Sequence, residues 1–151
     1  MALGYIFLAL IIVIAAVIGT LAVIGNRLDK ESKAFVDAAI PAIAAHWDIN
    51  EIQKRASPEF DGDVNYDDLA QDLDELRQMG KLVEYKGSVG QSNITVSFQL
   101  SYEITADYSA SADFETASAD IRISLIRHDG QWQILDIQVN PEEFTESHNV
   151  I

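Results

Sequence analysis

"ITVSFQLSYEITADYSASADF", residues 94–114, places an apolar residue at every even position and a polar residue at every odd one. Successive side chains of a strand point to opposite faces, so this two-residue period is that of β-structure with one face buried and one wet. A single straight strand over 94–114 would span about 70 Å, too long for a chain of 151 residues. The stretch must bend strongly, or break into a pair near "ADYSASADF" (106–114) without changing parity.

The neighbouring segments continue the pattern. Upstream, "KLVEYKGSV" (81–89) reads as the first strand and "GSVGQ" (87–91) as a turn, since it lacks the lysine and following helix of a phosphate loop. Downstream, "ASADIRISLIRH" (117–128) is a further strand, Asp129-Gly130 a tight-turn signal, and "QWQILDIQV" (131–139) the returning strand. Asp136 shares parity with Trp132 and Ile134, while Leu135, Ile137 and Val139 form the competing inward set.

Helical signals precede the strands. "LDKESKAFVDAAIPAIAAHWD" (28–48) places Phe35, Ala38, Ala39, Ala42, Ile43 and Trp47 on one stripe, with Pro41 expected to kink it. "DINEIQKRASPEF" (48–60) reads as a short helix capped by Asp48 and stopped at Ser57-Pro58. The order of helices and then meandering strands predicts an α+β domain whose helices cover one face of an antiparallel sheet.

Between them, "EFDGDVNYDDLAQDLDEL" (59–76) is rich in acid. A calcium loop counted from Asp61 would place Asp61, Asp63, Asn65 and Asp72 at ligand positions, but Tyr66 stands where the sharp turn needs glycine. Tyr66, Leu69, Leu73 and Leu76 instead trace a helical stripe, with Asn65 as its cap, Asp67 and Asp68 at its positive end and Gly80 beyond its close.

The N-terminus differs in kind. "LGYIFLALIIVIAAVIGTLAVIG" (3–25) carries no charge, and at about 1.5 Å per residue it makes about 35 Å of helix, enough for a hydrocarbon core of about 30 Å. It has no basic leader and exceeds a signal-peptide core, so an uncleaved single-pass anchor is expected. Ala15, Gly19, Ala22 and Gly25 form a small-residue flank suited to close helix packing. The expected layout is an anchor over 1–26, a juxtamembrane linker over 27–33, a domain over 34–140 and a tail over 141–151.

Net charge is −14, which disfavours nucleic acid, and the absence of cysteine removes thiol chemistry and disulfides. His46, His128 and His148 stand apart, so neither a metal site nor a nucleophilic triad is indicated. No cofactor is expected.

"AAHWDINEIQKRASPEF" (44–60) and "ADIRISLIRHDGQWQILDIQV" (119–139) resemble the early helices and final hairpin of the nuclear transport factor two-like superfamily, the cone-shaped fold shared with ketosteroid isomerase. The resemblance spans roughly residues 33–140 and implies a cone-shaped pocket and frequent homodimers, with no particular reaction. Pocket candidates are Trp47, Tyr66, Tyr85, Tyr108, Trp132 and Asp136; the last is the one acid with an argument for facing a pocket.

The function expected is that of a noncatalytic single-pass membrane protein, an accessory, assembly or scaffolding module touching the bilayer and either itself or a larger membrane complex. The alternative is a membrane-tethered small-molecule-binding protein, or an isomerase- or dehydratase-like enzyme using the cone. Arg27, Lys30 and Lys33 lean toward a cytoplasmic domain. Anchored relatives implied by the resemblance place theirs outside, and a periplasmic or extracellular domain is the expectation.

Overall fold

The computed structural model describes residues 2–143. Helix α1 runs unbroken from Ala2 to Ala44, 43 residues. Helices α2 (Ile49–Gln53), α3 (Pro58–Asp63) and α4 (Tyr66–Leu76) follow, then a 3₁₀ turn at Arg77–Met79. Strands β1 (Leu82–Val96), β2 (Tyr102–Phe114), β3 (Ala117–His128) and β4 (Gln131–Glu143) form one antiparallel meander in the order β1-β2-β3-β4. The chain is α+β, as its sequence order predicts.

The alternating stretch breaks into two strands, but not near 106–114. The break is the five-residue loop Ser97–Ser101, and β1 extends through 87–91, where a turn was expected. Val96 pairs with Tyr102 and Ile94 with Ile104, so even positions meet even positions. The buried face of β2 is Ala106, Tyr108, Ala110, Ala112 and Phe114. Its small alanines leave room for packing against the sheet, where Ile121, Ile123 and Leu125 of β3 complete the apolar surface.

Residues 27–33 are not a linker. They continue α1, and Leu28 and Ser32 within them are buried. The buried stripe of α1 is Leu28, Ser32, Val36, Ala39, Ile40 and Ile43, rotated from the expected one so that Ala38 faces outward. Helix α1 continues past Pro41 for about one more turn, although proline supplies no N–H to the helix there. It ends where Trp47 adopts a left-handed backbone (φ 47°) and its N–H bonds to the Ile43 carbonyl at 2.7 Å. The tryptophan is held there by packing on Phe114, ring centroids 5.6 Å apart.

The caps read from sequence are in place. Asp48 accepts from Asn50 N, and Asn65 accepts from Asp67 N and Asp68 N. Ser57 does more than stop a helix: with Pro58 at the first position it starts α3, accepting from Phe60 N at 3.1 Å. The same loop pairs with β4, Ser57 N to Ile134 O at 2.9 Å. Asp129 and Gly130 both have positive φ (50° and 77°), as a two-residue hairpin turn requires.

Residues 141–143 belong to β4, and the rest of the expected tail, with His148, lies outside the described residues.

Candidate functional site

Two features of the domain have the chemistry of a site: a polar seam under α1 and an open cleft at the far end of the sheet.

The seam fastens α1 to the sheet. Residues Asp29, Lys33 and Asp37 recur every four positions and therefore share a helix face. Asp29 accepts from Ser92 N at 2.8 Å and from the Ser92 hydroxyl. Lys33 Nζ donates to the Ser88 carbonyl at 2.7 Å and to Asp37 at 2.9 Å. Asp37 also accepts from the Tyr85 and Ser88 hydroxyls, each at 2.7 Å. Burial raises the Asp37 carboxyl, but donors from Ser88, Lys33 and Tyr85 outweigh it and hold the group below its ordinary range. Tyr85 moves the other way: burial first, then the Asp37 carboxylate, push its phenol up. Beside them, Tyr108 Oη lies 2.8 Å from Ser32 Oγ and donates to the Asp29 carbonyl at 3.0 Å. Arg127 reaches from β3 to Glu31 at 3.0 Å, and Arg27 bonds the same carboxylate. The hydrogen bond from Arg27 is the largest cause of the lowered Glu31 carboxyl.

The cleft, about 1150 Å³, opens between α4 and the ends of β3 and β4. Ile43, Trp47, Met79, Ile137 and Val139 supply its apolar lining, and Asp72, Glu75 and Glu143 its acidic rim. All three acids are exposed. Trp47 Nε1 is buried behind that lining and has no hydrogen-bond partner among the described residues.

Of the six pocket candidates, only Trp47 lines this cleft. Tyr85 and Tyr108 belong to the seam. Tyr66 stands on α4, edge-on to Phe60 and donating to Asp61; burial, then that bond, push its phenol up to about 12. Trp132 is buried under Arg127, whose guanidinium lies 5.9 Å from the ring centroid. Asp136 is exposed and accepts from Gln138 Nε2 at 3.0 Å. The physical reason is a register shift: Ser124 pairs with Asp136 and Leu125 with Ile134, so Leu135 is an extra residue. Trp132 and Ile134 therefore point inward before the bulge, and Ile137 and Val139 after it.

Ala15, Gly19 and Ala22 are exposed on α1, and a methyl group built at Gly19 or Gly25 meets nothing within 4 Å. The helix is long and apolar enough to cross a membrane. Sequence reasoning missed the seam, although the i, i+4 spacing of Asp29, Lys33 and Asp37 was its signal. It offered Ile137 and Val139 as the competing inward set without placing them in a cleft, and it missed Met79 and the acidic rim, which only the bulge and the fold bring together.

Set against protein-family models, curated proteins and solved structures, the chain matches none of them.

Proposed function

We propose that the protein is a noncatalytic single-pass membrane protein whose domain serves as an accessory or scaffolding module, contacting a second copy or a larger membrane complex. One observation carries the reading: the anchor helix enters the domain's own core without a linker, burying Leu28, Ser32 and Val36. A flexible tether lets a domain search; a continuous helix sets its height and orientation against the bilayer. Such rigidity suits a part that must present one surface to a neighbour. The small-residue flank Ala15, Gly19, Ala22 and Gly25 is the surface proposed for a neighbouring helix. A photo-crosslinking residue at Gly19 in native membranes should join the chain to one defined protein or to its own copy. Lipid adducts alone would overturn the reading.

The nuclear transport factor two-like cone remains part of this proposal, supported by helices preceding a meandering sheet and by a cleft between α4 and the strands. So does a periplasmic or extracellular domain. Arg27, Lys30 and Lys33 weigh against it, because acidic partners count little in the positive-inside bias, and the sidedness rests on the resemblance alone. Protease added to spheroplasts should digest the domain; protection while a periplasmic control is cut would reverse the sidedness.

The cleft favours a second reading, a membrane-tethered small-molecule-binding protein, because Ile43, Trp47, Ile137 and Val139 give it an apolar wall. Its occupant would be largely apolar. Native mass spectrometry of the chain extracted from membranes separates the two readings by the mass of what stays bound.

A further inference from the structure

We propose that the tip of the β1–β2 hairpin, Val96–Tyr102, is a second membrane-contacting element that enters the lipid headgroup–acyl boundary beside α1.

The seam supplies the geometry. Asp37 and Asp29 bond the hydroxyls of Ser88 and Ser92, two pairs of the same chemistry. Eight residues of helix advance about 12 Å, and the four residues of strand between those serines about 13 Å. Equal advance means that β1 runs nearly alongside α1, in the opposite chain direction. As α1 is followed back toward the anchor, β1 is followed forward toward its hairpin.

The same rises place the tip. From Ser92 to Thr95 is about 10 Å of strand, level with Ala22 of α1. The uncharged run 3–25 makes about 35 Å of helix against a core of about 30 Å, so the hydrocarbon boundary falls within about three residues of Gly25, near Ala22. Thr95 pairs with Glu103, the first charged residue after the tip, which therefore lies at the boundary and limits the depth of entry. Everything beyond that level is Val96–Tyr102.

The chemistry there is that of a membrane surface. No charged residue occurs from Gly87 to Tyr102. Val96, Phe98, Leu100 and Tyr102 are 68%, 109%, 90% and 72% exposed, an apolar cluster with nothing over it among the described residues. A tyrosine at its base suits the interface, where one end of the ring is apolar and the other wet. Leu100 holds a left-handed backbone (φ 58°), a position where glycine or asparagine would be unstrained, so an apolar side chain is kept at the tip at a conformational cost. The loop also closes its own backbone bonds, Ser97 N to Ser101 O at 2.8 Å and Leu100 N to Ser97 O at 3.0 Å. That reduces the penalty of leaving water.

The inference rests on α1 spanning the bilayer, and the test reads that separately. The sequence has no cysteine, so single cysteines at Phe98, Leu100, Val13 and Gly62 take one fluorophore each on the full chain. The labelled chains are reconstituted into phosphatidylcholine vesicles containing lipids that carry a nitroxide quencher either near the headgroup or near the end of an acyl chain. The label at Val13 reports the span and that at Gly62 the aqueous domain. Labels at both Phe98 and Leu100 should be quenched well above Gly62, and more by a shallow quencher than by one at the bilayer centre. Quenching at Val13 with none at either tip position would overturn the inference while leaving the anchor intact. Shielding of the tip labels from an aqueous quencher only in native membranes, never in lipid vesicles, would also overturn it, because a protein would then be the occupant. A label at Val13 that is not quenched would remove the anchor reading itself.

Discussion

Asp29 of α1 accepts two hydrogen bonds from Ser92 of the edge strand β1, one from its backbone N–H at 2.8 Å and one from its hydroxyl. This pair lies on the side of the seam toward the apolar run 3–25, and it ties the direction of the hairpin to the direction of α1. With Lys33–Ser88 and Asp37–Tyr85 behind it, the helix is held at three levels and not only at its end.

The central member of the seam is Tyr108, 3% exposed and bonded to Ser32 and to the Asp29 carbonyl. Tyr108→Phe keeps the ring but leaves those groups short of a donor, and should destabilise the detergent-solubilised chain by about 1–2 kcal/mol. Denaturant unfolding measures it. No loss would mean that apolar packing alone seats α1.

Acid should loosen the same seam. The Asp37 carboxyl is lowered in the folded chain, so its contribution is present above the unfolded value of about 3.9 and is lost as pH falls through the folded value. Asp37→Asn should be less stable at neutral pH and should show a shallower loss of stability below about pH 4. An acid limb identical to that of the parent chain would contradict the assignment.

Gly90 marks a close approach of β1 to β2. A Cβ there would collide with the Asp107 carbonyl oxygen and lie 2.7 Å from Tyr108 Cα, both backbone. Gly90→Ala should therefore lower the melting temperature sharply. Gly62→Ala in α3 meets nothing within 4 Å and should be neutral or mildly stabilising, by up to about 1 kcal/mol.

The acidic stretch begins a helix, with Asn65 capping two N–H groups. Asn65→Ala should cost about 1 kcal/mol. Millimolar calcium at matched ionic strength should leave the melting temperature nearly unchanged, whereas a micromolar site would add about 4 kcal/mol by mass action. A calcium-dependent rise of several degrees would contradict the helix-start reading.

How far sequence reached depended on what each signal encodes. The α+β order, the Asp48 and Asn65 caps and the Asp129-Gly130 turn are local, and each is legible from a few neighbours. The hairpin break was hidden because its loop, 97–101, has an odd number of residues, so the even-numbered apolar parity passes through it unchanged. The bulge at Leu135 was hidden for the opposite reason: one extra residue inverts the parity, and "QWQILDIQV" carries apolar residues in both registers. Asp136 looked inward only on the assumption of an unbroken alternation. The continuity of α1 was obscured because its uncharged half, 3–25, and its domain-packed half differ in composition although the backbone does not.

The most direct measurement is the native mass of the full chain extracted from its host membranes in a mild detergent. The chain should leave the membrane in a defined assembly, with a second copy or a stoichiometric membrane partner. Ala15→Leu with Gly19→Leu should loosen that assembly without changing the melting temperature of the domain, and Asp136→Asn should leave it intact. Recovery of a monomer of 16.7 kDa carrying only a small molecule would contradict the accessory-module reading in favour of the cleft.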